Sequence, residues 1–168
     1  MGITERIGQM LEAQSRKAAE ELKIKQEAEE KRLKVTEERN LFLSSQKEKL
    51  LRETGIVPLL QQIENDLLEN SSRNHRTFQH SSEDKHFIYL AWDYDKQQET
   101  NNGISGENFK SIDIEINLSN ESITIGNKTV QKLQWRKKND LIEELLAEAF
   151  LSPRTHITEP FEGWGPYS

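Results

Sequence analysis

The chain has 168 residues, 23 Lys or Arg, 29 Asp or Glu, a formal net charge of -6 and 33% hydrophobic residues. It has no cysteine, which excludes a disulfide scaffold, thiolate metal ligation and a cysteine nucleophile. The acidic excess repels phosphate backbones and anionic lipid and so disfavours nucleic acid and membrane surfaces as partners.

The charge is unevenly distributed. Residues 1–54 contain 12 basic and 11 acidic side chains, whereas residues 55–168 contain 11 and 18. A charge-balanced segment thus precedes an acidic one. The first residues hold no apolar run of signal-peptide type, and no window approaches a membrane span. A soluble, cytoplasmic protein without membrane insertion is expected.

Residues 1–54 read as a helical rod. Between Gly8 and Gly55 there is neither Gly nor Pro, and Glu, Lys, Ala, Leu, Gln and Arg dominate. Glu21 with Lys25, Glu27 with Lys31 and Glu30 with Lys34 stand acid before base at i,i+4, the favourable order on a helix. The adjacent Ser44 and Ser45 mark the weakest point, where a break is expected if one occurs. Leu11, Leu22 and Leu33 repeat every eleven residues, as do Ala13, Ile24 and Val35. That period fits a nearly straight or slightly right-handed coil. Lys25 and Glu29 interrupt the stripe. The rod is expected to act as a spacer or an oligomerisation element, with Leu11, Leu22 and Leu33 as its contact residues.

Residues 55–151 read as a small α+β domain. Pro58 suits the first turn of a helix, and Leu59, Leu60, Ile63, Leu67 and Leu68 give that helix a broad apolar stripe. Residues 71–84 read as a polar loop. Residues 85–95 are rich in aromatic and β-branched types with little alternation, as in a strand covered on both faces. Residues 96–108 read as a flexible loop. In residues 109–119 Ile112, Ile114, Ile116 and Leu118 alternate with Ser111, Asp113, Glu115 and Asn117, the period of a half-buried strand. Two further strands, 122–125 and 128–135, flank a Gly126-Asn127 hairpin turn. Asp140 and Glu143 have the spacing of a capping box before a second helix. The architecture is therefore α+β: a long charged N-terminal helix, a short helix, an antiparallel meander of three to four strands and a C-terminal helix.

Residues 152–168 read as an extended tail. Phe161, Trp164 and Tyr167 recur every third residue between Pro160 and Pro166, the period of a polyproline-like strand. Their side-chain types anchor interfaces. With the rod leucines they are the candidate partner-binding residues, and protein partners, including a second copy of the chain, are expected.

Two other chemistries have candidate residues. Lys132, Trp135, Arg136, Lys137 and Lys138 form a basic segment with an aromatic residue, suited to phosphate contact and base stacking. Asp113 and Glu115, with Asp93 or Asp95, would form the carboxylate cluster of a metal-dependent enzyme. His75, His80 and His86 match no usual zinc spacing. No catalytic residue, metal site or cofactor is assigned. The leading expectation is a non-enzymatic adaptor or scaffold component of a larger assembly.

Overall fold

The computed structural model describes residues 2–69 and 73–156. The chain divides into two compact units, Met1–Ser44 and Ser45–Ser168.

From Ile3 onward the first unit is helical and belongs to α1, Ile3–Thr54. The serine pair does not interrupt α1. Every described side chain up to Phe42 is exposed, as an amphipathic helix without a covering partner must be. The three acid–lysine pairs expected at i,i+4 do not close. Those that close within this unit are Glu12 with Arg16 at 3.9 Å and Glu29 with Arg32 at 2.6 Å. For Glu29 the guanidinium offers a planar fork that grips the carboxylate at two points. Arg32 holds Glu29 through two nitrogens and pulls its carboxyl below the usual range.

The second unit begins with the last part of α1, where Leu50 and Thr54 are buried. The Thr54 hydroxyl donates to the Leu50 carbonyl at 2.8 Å. Gly55 then turns the chain at φ 63°, a left-handed conformation that glycine adopts without strain. Helix α2, Ile56–Ile63, carries Pro58 in its first turn and continues as a π-helical turn over Glu64–Leu68.

Strand β1, His75–Ser82, replaces the expected polar loop. It pairs antiparallel with β2, Lys85–Trp92, in the register Ser82 to Lys85, around a turn with Glu83 at φ 54°. Strand β1 lies at the sheet edge and buries only Phe78. Its composition is therefore that of a loop, and its pairing supplies the order. The segment 96–108 is also structured. It forms a 3₁₀ turn, Lys96–Gln98, and a two-stranded ribbon of β3, Glu99–Thr100, and β4, Gly103–Ile104.

Strand β5, Phe109–Asn117, alternates as expected and pairs with β2 along almost its whole length. Strands β6, Ser122–Ile125, and β7, Lys128–Gln131, form the hairpin around Gly126, at φ 64°. The expected extension of β7 to residue 135 is instead helix α3, Lys132–Lys137. Gln131 caps it, with its backbone N–H donating to Gln134 Oε1 at 2.7 Å. Helix α4, Leu141–Leu151, starts after Asp140 without a side-chain cap, so the expected capping box does not form. Strand β8, Arg154–His156, then returns to pair antiparallel with the start of β5.

The result is α+β. A six-stranded antiparallel sheet runs β1-β2-β5-β6-β7, with β8 also on β5. Ile88 and Leu90 lie opposite Ile114 and Ile112 and share one sheet face, against which α4 packs. Trp92 on that face stacks on Phe150 at 5.2 Å. The other face carries Phe78, Ala91, Tyr94 and Phe109, partly covered by Ile104 of the ribbon.

Candidate functional site

Four sets of residues were candidates on sequence, and the structure places three of them. Phe161, Trp164 and Tyr167 lie outside the described residues. In the first unit Leu11, Leu22 and Leu33 are 60%, 57% and 49% exposed. Ile3, Ile7, Met10, Ile24 and Val35 are exposed as well. Burying a leucine contributes about 1.5–3 kcal/mol, so the rod carries a continuous reserve of interaction energy.

The basic segment of the second unit is engaged by acids, two of them from distant elements. Lys132 pairs with Glu121 at 3.0 Å, Arg136 with Glu53 at 2.6 Å and Lys138 with Glu144 at 2.8 Å. Arg136 draws the Glu53 carboxyl below its ordinary range, and Lys132 does the same to Glu121, helped by Gln46. Trp135 is only 5% exposed and its indole N–H donates to Glu53 at 3.3 Å. Its ring is core and is not presented to a base. Lys137 alone of the four cations makes no ion pair among the described residues. A labelled oligonucleotide should therefore show no saturable binding at low salt. Binding that weakens steeply with added salt would restore this segment as an interface.

The carboxylates of the sheet are likewise paired. Glu115 meets Lys85 at 3.0 Å, Asp113 meets Arg154 at 3.0 Å, and Asp93 meets Arg73 at 3.5 Å and Lys110 at 3.4 Å. Among the described residues no group of three or more His, Asp or Glu is arranged to hold a metal ion. The histidines are in the sheet. His75 meets Glu64 at 2.7 Å, His80 stacks on Phe87 at 4.9 Å, and His86 is buried.

The sheet face opposite α4 forms an open cleft of about 580 Å³, which includes His80, Phe87, Tyr89, Asp113, Arg154 and His156. The strand β8 builds one side of it. His156 stacks on Phe109 at 4.1 Å, and its Nε2 lies 2.9 Å from the Ser111 hydroxyl, which donates to Asp113 Oδ1 at 2.9 Å. Serine, histidine and aspartate thus meet, but in the wrong order for a nucleophile. A relay needs the imidazole to accept the serine proton and the carboxylate to hold the far ring nitrogen. Here the carboxylate takes the hydroxyl hydrogen, so Nε2 must donate. Ser111 is also 1% exposed. Burial, then Arg154, hold the His156 pKa below its ordinary value and favour the neutral ring. The cluster ties β8 to β5.

The chain matches no family model, no curated protein and no solved structure.

Among the described residues no helix is long and apolar enough to cross a membrane. Sequence reasoning missed Ser111, Arg154 and His156 as a unit. The pairing of β8 with β5 joins residues 45 apart, and neither segment carries a local sign of the other.

Proposed function

We propose that this protein is a non-enzymatic interaction component of a larger assembly, acting in the cytoplasm, with the first unit as its spacer and association element. One observation carries the reading: the apolar residues from Ile3 to Phe42 repeat along the helix and stand in solvent. Exposed apolar side chains scattered singly are ordinary. A stripe with an eleven-residue repeat along one helix supports a partner surface. The ion pairing of Lys132, Arg136 and Lys138 supports the same reading over phosphate binding. The pairing of Asp113 and Glu115 with cations favours it over metal chemistry.

The test is a full-length variant carrying Leu11→Ser, Leu22→Ser and Leu33→Ser. Its second unit should melt as the parent does. Complexes that co-purify with the parent at fixed stoichiometry, whether with other proteins or with itself, should be lost. A complex of unchanged composition would overturn the reading.

A further inference from the structure

We propose that the first unit pairs with a second copy of itself, antiparallel, along the stripe of Leu11, Ala18, Leu22 and Leu33. This rests on the interaction reading above and specifies the partner. Two charges interrupt the stripe. Following the eleven-residue repeat, the face passes through Leu22, Lys25, Glu29 and Leu33. Both charged side chains are exposed; Lys25 makes no ion pair among the described residues, and Glu29, held by Arg32 within its own helix, would exchange that partner for Lys25 of the second copy. Any partner covering the leucines must also meet Lys25 and Glu29.

A parallel second copy in register would set lysine against lysine and glutamate against glutamate in a partly dehydrated seam, where like charges repel most strongly. An antiparallel copy with its two-fold axis at Glu27 sets Lys25 against Glu29 of the second copy, twice, once on each side of the axis. Such a self-complementary contact is the form of a two-fold interface. The same register sets Ala18 opposite Thr36 and Leu11 opposite Leu43, and it places Leu22 opposite Arg32, one residue from Leu33. At the flank it brings Glu21 near Arg32. Lys25 and Glu29 are thus matched in charge while Leu22 and Leu33 lie within one residue of each other across the seam. Residues 1–44 contain nine basic and nine acidic side chains, so two copies approach without net repulsion. The overlap runs from Met10 to Ser44 and stays within the first unit.

The test uses full-length protein, whose lack of cysteine allows single thiols to be introduced. Ala18→Cys and Thr36→Cys variants are prepared separately, mixed and oxidised. The mixed disulfide should dominate, and neither variant alone should crosslink efficiently. Sedimentation should show a dimer that Lys25→Glu abolishes and that Lys25→Glu combined with Glu29→Lys restores. In a parallel pair Lys25→Glu exchanges one like-charge contact for another and leaves the dimer intact. Dominant like-with-like disulfides, or a dimer indifferent to Lys25→Glu, would overturn the antiparallel arrangement. A monomer at all concentrations would overturn self-pairing. If that monomer still loses a heterologous complex in the leucine-to-serine variant, the interaction reading survives without this inference. If nothing is lost, both fall.

Discussion

Leu50→Ala will lower the free energy of unfolding by about 2–5 kcal/mol, the range for removing a leucine from a packed core. Leu22→Ala, on the same helix, will change monomer stability by no more than about 0.5 kcal/mol, as for other surface positions. Leu50 is wholly buried, whereas Leu22 stands in solvent. The two residues differ because the second compact unit begins at Ser45, inside α1. Beyond that point the helix adds Leu50 to the core and positions Glu53 to accept from Trp135 and Arg136. Urea unfolding measures both variants. A lowered midpoint with an unchanged slope is expected for Leu50→Ala. If its midpoint stayed at the parent value, the end of α1 would not be part of the cooperative unit.

Acidification from pH 6.5 towards 4.5 will weaken the fold, and His86 will account for most of the loss. His86 is 3% exposed, with Nε2 at 3.0 Å from Gln79 Oε1 and Nδ1 at 2.7 Å from the Ser81 hydroxyl. A carbonyl oxygen only accepts, so Nε2 carries the hydrogen and Nδ1 accepts from serine. A neutral ring satisfies both bonds. Burial, with Lys47 and then His80 adding repulsion, pushes its pKa from 6.5 down to about 4. Below 6.5 the unfolded chain takes up a proton that the folded state refuses, so stability is full above that pH and drains away as pH falls to about 4. The full span corresponds to about 3 kcal/mol. His156 shifts in the same direction, so the comparison is made between the parent and His86→Gln. The variant should show a clearly flatter stability curve from pH 6.5 down to about 5.5, before carboxylates such as Glu53 and Glu121, whose ordinary value is 4.5, begin to take up protons in the unfolded chain. Identical pH dependence in the two proteins would refute the assignment.

The parts of the fold legible in the sequence are those whose pattern is local. In β5, Ile112, Ile114 and Ile116 alternate with polar residues because one side meets α4 and the other the open cleft. The rod was legible because helix formers run unbroken for some forty residues before Gly55. What failed depends on distant partners. Strand β1 has one buried apolar residue, and only its ladder with β2 makes it a strand. The β-like run Thr129–Trp135 becomes helical after Gln131, where Gln131 caps α3 and Trp135 turns into the core. The basic segment looked free because its acids come from Glu53 and Glu121 as well as from the nearby Glu144. The rod stripe was readable as residues, and its exposure was added by the structure.

Strand β5 is held by β2 on one side and by two separate strands on the other, β6 at residues 114–117 and β8 at residues 109–111. This division orders the assembly of the sheet in time. The β1–β2 hairpin closes across a two-residue turn and can form within microseconds. Strand β8 must close a loop that contains the β6–β7 hairpin, α3 and α4. Its docking is the late event, and its amides should acquire protection from solvent exchange last during refolding. In the native state the same amides should open first, while those of β5 facing β2 exchange only with global unfolding.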